Sequence, residues 1–351
     1  MSRNKAQIDG LHVPLLNGHA NKEAEGDMTL TVLGCGTLGI AILSGILTSL
    51  SSVSSSEPSP SSSGTATPSA QPEEDNLPSR VPSRFIACVT RDASAKRVKT
   101  ALSSHLSSVT ILQNENLKGV QQADVILLGC KPKNLKDGIL REPGMREALQ
   151  GKLVISILAG TSIESLEENV YGPKAPTDKD PFAEGRCRFV RVMPNTASLI
   201  RSSMTVIADS APPLSISQSS LVTWILSRIG RVVNLPPYMM DAATALCGSG
   251  PAFFALMLEA MADGAVAMGL PRAEAQTMAA QTMKGTAEMV LAGQHPALLR
   301  EQVCTPGGCT AGGLQVLEDG KVRASVATGV RTASVAASRL GRGEQGVNGP
   351  R

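Results

Sequence analysis

The chain has 351 residues, 42% hydrophobic and 18% charged, and a formal net charge of +3 at pH 7. That length allows two domains with substantial cores, while the small, scattered positive charge and 2% aromatic content exclude a surface built for nucleic acid. Seven cysteines without a C-x-x-C pair, and four dispersed histidines (His12, His19, His105, His295), predict no metal site, no Ser-His-Asp triad and a reducing, cytoplasmic setting.

Residues 1–27 lack the apolar core of a secretory signal and are broken by Asp9, Glu23, Glu25 and Asp27, which predicts a disordered tail. An apolar strand over Leu30–Leu33 then runs into Gly34-Cys35-Gly36-Thr37-Leu38-Gly39, spaced G-x-G-x-x-G, and a helix over about 38–47. In this strand–turn–helix context, Gly34 allows the tight turn, Gly36 lets bare backbone approach a pyrophosphate, and Gly39 lets helix pack on strand. The N–H groups that open the helix, around Thr37 and Leu38, favour the anion. Ten serines between Ser49 and Ser63, followed by Pro-, Thr- and Glu-rich sequence, predict a disordered surface insertion over 48–83. It reads as a tolerated loop expansion, with phosphorylation the alternative.

The second strand, Arg84–Val89, ends in Thr90 and Arg91, where a dinucleotide fold meets the adenosine ribose. A forked guanidinium and a hydroxyl suit a 2′-phosphate, so the expected cofactor is NADPH, with NADH possible; Asp92 falls a place or two late for the NADH role. Strands follow at Val109–Leu112, Asp124–Cys130 and Lys152–Leu158, then a polar insertion at 172–186, a strand at Arg188–Val192, and another at Met204–Ala208. A helix near Ser215–Ile229 and a strand over Arg231–Leu235 complete this half. The alternation predicts an α/β fold, a Rossmann-type doubly wound sheet forming an NADP-binding domain over 28–237.

From Met239 the strand signals stop. Pro251–Met268 and Pro271–Ala292 read as long helices with Pro in or near the first turn and Ser249 as a candidate N-cap. Glu259 and Asp263 interrupt the first, which argues against a membrane span. Both are apolar on most faces, so an all-α dimerisation and substrate domain over 238–340 is expected, with homodimer or higher assembly and a disordered tail over 341–351. The competing expectation is that these helices pack on the nucleotide domain.

Five segments in order carry a more specific signal: Gly129-Cys130-Lys131-Pro132-Lys133, Ser156-Ile157-Leu158-Ala159-Gly160, Arg191-Val192-Met193-Pro194-Asn195-Thr196, Cys247-Gly248-Ser249-Gly250-Pro251-Ala252-Phe253, and Thr305-Pro306-Gly307-Gly308-Cys309-Thr310. Together they resemble the pyrroline-5-carboxylate reductases, over about Leu30 to Leu340 apart from the two insertions. The resemblance implies NAD(P)H-dependent reduction of L-1-pyrroline-5-carboxylate to L-proline, the last step of proline biosynthesis. Hydride adds to the C=N carbon of a cyclic imine that carries a carboxylate. A protonated iminium is already a good electrophile, so positioning and charge stabilisation suffice, which fits a chain poor in histidine.

On this reading Ser249 and Gly250 form a carboxylate seat at a helix start, and Thr305, Gly307, Gly308 and Thr310 form a second loop on the substrate side. Cys130, Lys131 and Pro132 lie against the cofactor, as do Ala159 and Gly160; Asn195 holds cofactor or substrate by its amide, or merely stabilises a turn. Cys247 stands where Ser is usual, Phe253 for Tyr, Ala197 for Pro and Thr305 for Ser. Cys247 is a passive replacement unless a helix terminus lowers its pKa. The alternatives are another NADP-dependent imine or hydroxyacid reductase, with Lys284 as its lysine, and a non-catalytic NADPH sensor.

Overall fold

The structure, a computed structural model, describes residues 27–54, 78–131, 134–135, 138–173, 185–342 and 344. The expected N-terminal tail up to 26, most of both insertions, the last residues of the chain and Pro132 lie outside the described residues.

All eight expected strands form one sheet: β1 (Met28–Leu33), β2 (Pro82–Val89), β3 (Val109–Gln113), β4 (Val125–Leu128), β5 (Leu153–Ser156), β6 (Arg188–Met193), β7 (Ser203–Ala208) and β8 (Gly230–Leu235). Their order is β3-β2-β1-β4-β5-β6-β7-β8. The first six are parallel, β7 runs antiparallel to β6, and β8 is parallel to β7. Leucine and isoleucine run unbroken through β4 because both of its faces are covered. One apolar layer packs under α1 (Thr37–Ser54), α2 (Asp92–Ala101) and α6 (Ile216–Ser227), and includes Val32, Ile42, Leu127 and Ile225. The opposite layer packs under α3 (Asn116–Gln121), α4 (Met145–Leu149) and α5 (Ile163–Tyr171), and includes Leu33, Ile126, Leu128 and Leu166. The sheet is doubly wound, as expected.

One boundary is corrected. Helix α1 does not stop near Leu47 but continues to Ser54, into the Ser-rich stretch. The hydroxyls of Thr48 and Ser51 donate to the carbonyls of Ser44 and Leu47, at 2.8 and 2.9 Å, and Arg228 Nη1 donates to Ser49 Oγ at 2.9 Å. The hydroxyls are satisfied within the helix, which runs on where composition alone predicts a break.

After β8 the chain is helical: α7 (Met240–Ala243), a π-helical turn over Thr244–Gly248, α8 (Gly250–Ala267), α9 (Arg272–Leu291), α10 (Pro296–Val303), α11 (Cys309–Asp319) and α12 (Val322–Gly341). Helix α12 packs across α7 and the π-turn. Met193, Val206, Ala208, Met240 and Ala243 form a third apolar cluster where this region meets the sheet. Much of it faces outward: Leu256 is 66% exposed, Met268 86% and Val316 70%. The stretch Pro237–Ala267 is in fact long and apolar enough, by length and composition alone, to cross a membrane. Glu259 and Asp263 therefore do not exclude a span by themselves.

Candidate active site

At the carboxyl edge of the parallel strands a cleft of about 320 Å³ opens between the ends of β1, β2 and β4. Gly34, Gly36, Thr90, Arg91, Cys130 and Lys131 line it together. The glycine geometry follows the motif. Gly34 has φ +78, and a Cβ there would lie 2.5 Å from Cys130 Cα; a Cβ on Gly39 would lie 2.9 Å from Val32 Cγ1. So Gly34 makes the turn and Gly39 lets α1 press onto β1, outside the cleft itself. A Cβ on Gly36 would meet only Gly34 O, at 3.9 Å, which leaves that backbone open to the cleft.

Among the described residues the lining contains Arg91, Arg97 and Lys131 and no carboxylate. Cys35 and Cys88 are pushed up to about 12 and Cys130 to about 11, burial being the first cause in each. The cleft thus presents neutral thiols and three cations, a surface suited to a polyanion. Ser94, Arg97 and Asn116 also line it, and sequence reasoning missed them. The available signal was spacing, since Ser94 and Arg97 follow Arg91 at three-residue steps along α2. A larger open depression of about 570 Å³, lined by Arg141, Arg146 and Tyr171, lies beside α4 and the end of α5, away from these strand ends.

The remaining expected residues lie elsewhere. Thr37 and Leu38 open α1 but do not line the cleft, and Gly160, with φ +68, sits against the end of α12, 3.4 Å separating its would-be Cβ from Gly341 N. Ala159 beside it is exposed. Asn195 spends its amide on protein: Oδ1 accepts from Ala197 N–H at 3.0 Å and Nδ2 donates to the Cys247 carbonyl at 3.0 Å. The turn-stabilising role therefore describes it better than a ligand contact.

Ser249 is not an N-cap. It has helical φ/ψ and no side-chain cap bond, and its N–H donates to Thr244 O at 3.0 Å, because the π-turn carries the helix straight into α8. Its hydroxyl makes no hydrogen bond among the described residues and is half-buried beside buried Gly250. Thr305, Gly307 and Gly308 form a turn before α11, closed by Gly308 N–H donating to Thr305 O at 3.0 Å, and Thr310 lies in the first turn of that helix. Thr305 and Gly307 are exposed, and the turn does not line the cleft of its own chain. Burial raises the Cys247 thiol pKa, which agrees with a passive replacement. Lys284 is exposed and faces Glu288 at 3.7 Å, an ordinary surface pair.

Residues 237–340 match a family model described as pyrroline-5-carboxylate reductase dimerisation, and residues 29–160 match one described as NADP oxidoreductase coenzyme F420-dependent. A pyrroline-5-carboxylate reductase of Lophium arboricola is 59% identical over 95% of this chain and 99% of its own length. One of Neurospora crassa is 49% identical over 94% and 98%. The chain belongs to the pyrroline-5-carboxylate reductase family. A solved pyrroline carboxylate reductase of Plasmodium falciparum with NADP bound covers 90% of this chain and 99% of that one, at 23% identity and TM-score 0.65, and shares the fold. The family places this chain among NAD(P)H-dependent oxidoreductases that act on a small molecule and assemble as homo-oligomers, and nothing favours the hydroxyacid-reductase or sensor alternatives.

Proposed function

We infer that this protein reduces L-1-pyrroline-5-carboxylate to L-proline with NAD(P)H, using the two parts of the site just described. The cation-lined, glycine-floored cleft at the strand ends is the observation that carries the reading. It fits a dinucleotide phosphate: Gly36 offers open backbone, α1 offers its N-terminus, and among the described lining residues three cations stand without a carboxylate. Gly34 and Gly36 would hold the pyrophosphate, with the α1 N-terminus that Thr37 and Leu38 open turned toward it from behind the lining; Thr90 and Arg91, joined by Arg97, would hold a 2′-phosphate, making NADPH the preferred form. Cys130, Lys131 and Pro132 would flank the nicotinamide side. When bound, the cofactor supplies the hydride that reaches the imine carbon.

The chain's own residues position and neutralise. The Ser249 hydroxyl and the Gly250 amide donate to the substrate carboxylate, with the Ser249 N–H already committed to Thr244. Thr305, Gly307, Gly308 and Thr310 complete the pocket from the partner protomer, supported by the exposure of Thr305 and Gly307 within one chain and by the place of all four in the dimerisation region. Residues 28–237 form the NADP-binding domain and 238–340 the helical dimerisation and substrate domain, assembled as a homodimer or a higher multiple of it. The outward apolar faces of α8 and α11 are covered by the second copy rather than by lipid, and the small net charge leaves no role for nucleic acid. A cytoplasmic setting agrees with four thiols buried in the core as small hydrophobes.

The test is loss of NADPH absorbance on adding pyrroline-5-carboxylate, run beside NADH and a cyclic imine without the carboxylate. Carboxylate-dependent oxidation with proline as product is expected. Tight NADPH binding without turnover would sink the assignment.

A further inference from the structure

Proline at position 251 lacks the N–H that an α-helix would donate to the carbonyl four residues earlier, that of Cys247. This carbonyl is not left empty: Asn195 Nδ2 donates to it at 3.0 Å. Asn195 stands two residues beyond β6, and its environment holds the amide fast. Its Oδ1 accepts from Ala197 N–H at 3.0 Å, and its own N–H donates to Ser203 Oγ at 3.2 Å. Ser203 is buried and lies 3.1 Å from the equally buried Thr205 Oγ1. Two neighbours reinforce the junction. Arg191 on β6, with its side chain 12% exposed, reaches Asp241 Oδ1 on α7 at 3.7 Å. The Met193 sulfur lies 3.6 Å from where a Cβ of Gly248 would stand.

We propose that Asn195 is a positioning residue: it supplies the backbone donor that Pro251 lacks, and so fixes the Ser249-Gly250 segment against the end of β6. The P-N-T and G-S-G-P segments, 52 residues apart at this contact, are then two halves of one device. The proline frees a carbonyl, and the asparagine takes it up as a strap between the helical region and the sheet whose edge carries the cofactor cleft. A π-turn before the proline suits this, since it reshapes the helix at the residues that must face the ligand. The strap sets how far the substrate carboxylate sits from the cofactor, and hydride transfer is steeply sensitive to that separation. The inference rests on the reading of Ser249-Gly250 as the carboxylate seat.

Asn195→Asp separates the two jobs of the side chain. A carboxylate still accepts from Ala197 N–H, but it cannot donate and sets an oxygen against the Cys247 carbonyl. The expected result in the full-length enzyme at neutral pH is a kcat lower by roughly tenfold or more, with NADPH affinity unchanged in a fluorescence titration without substrate. As pH falls and the introduced carboxyl protonates, its O–H can donate again, so the ratio of variant to wild-type kcat rises. Adding Pro251→Ala restores a backbone N–H for Cys247, so the two substitutions are non-additive in thermal stability as well as in rate. Wild-type kcat in Asn195→Asp, or NADPH affinity falling in step with kcat, would overturn the strap and return Asn195 to a passive turn or to a cofactor contact. Should the wild-type protein itself fail to reduce pyrroline-5-carboxylate, the functional reading fails separately; additive melting temperatures for Asn195→Asp and Pro251→Ala would then overturn the strap.

Discussion

A methyl group on Gly34 would lie 2.5 Å from Cys130 Cα and 2.7 Å from its nitrogen, at a φ of +78 that side chains rarely adopt. Neither backbone can give way without moving β1 or β4, so Gly34→Ala is expected to lose about 2–4 kcal/mol of stability and most NADPH binding, read by thermal melting and fluorescence titration. A variant that melts and binds like wild type would show that the turn is not constrained. Arg91 makes a different kind of contribution, through charge. Removing its fork should weaken NADPH by roughly 10–100-fold and NADH far less, since only the first carries a 2′-phosphate. Equal losses would mean that Arg91 does not read the phosphate and that Arg97 deserves the role. The thiols around the cleft carry a pH signature. Cys35 and Cys88 rise from 9.0 to about 12 and Cys130 to about 11, chiefly through burial, so each stays protonated in the folded protein after it would ionise in the unfolded chain. Their contribution is complete below pH 9 and is lost as pH climbs towards 12. The urea midpoint should therefore fall between pH 8 and pH 10, and fall less in Cys88→Ala; identical slopes for the two proteins would refute a thiol origin.

At the scale of elements, strands announce themselves here because burial on both faces forces continuous apolar runs such as Val125–Leu128, and all eight were legible. The end of α1 was not, because composition reads the Ser-rich stretch as a break, yet the helix runs on through it with hydroxyls bonded to the carbonyls behind them. Ser249 misled for a related reason. A Ser before Gly-Pro looks like a cap, but the helix already exists upstream, and a π-turn carries the chain through it. That residues of the β1 turn and the β2 tip line one cleft was legible from spacing, whereas Arg97 needed the helix to be built before it could be placed in the same lining as Arg91. Asn195 shows the limit most clearly. Its motif marks it, but whether its amide meets a ligand or a carbonyl depends on Pro251, far along the chain, which no local reading connects to it. What the sequence hides is therefore mostly the joining of sheet to helices, made by single polar contacts rather than by periodic patterns.

For the whole molecule the decisive fact is that the helical region does not cover itself. Phe254 and Met261 are each 53% exposed on α8, Leu256 is 66% exposed, and residues 237–340 match a dimerisation model. Apolar side chains spread along one long helix in this way call for a large second surface, and a second copy of the same chain supplies one by symmetry. On the proposed reading the arrangement also divides the labour of the site. The cleft proposed for the cofactor is built within one chain by β1, β2 and β4, while Thr305, Pro306 and Gly307 are exposed and line no part of it. Breaking the assembly should therefore separate binding from turnover. Met261→Glu would place a carboxylate in the covered face, at several kcal/mol per buried charge, and should yield monomers by light scattering. Those monomers are expected to keep NADPH affinity within about twofold, since the cleft needs no partner, and to lose nearly all reduction of pyrroline-5-carboxylate, since the partner's turn is gone. Full activity in a verified monomer would place the whole substrate pocket within one chain. Loss of NADPH binding as well would mean that the helical region props up the cleft, and that the two halves of the protein do not act independently.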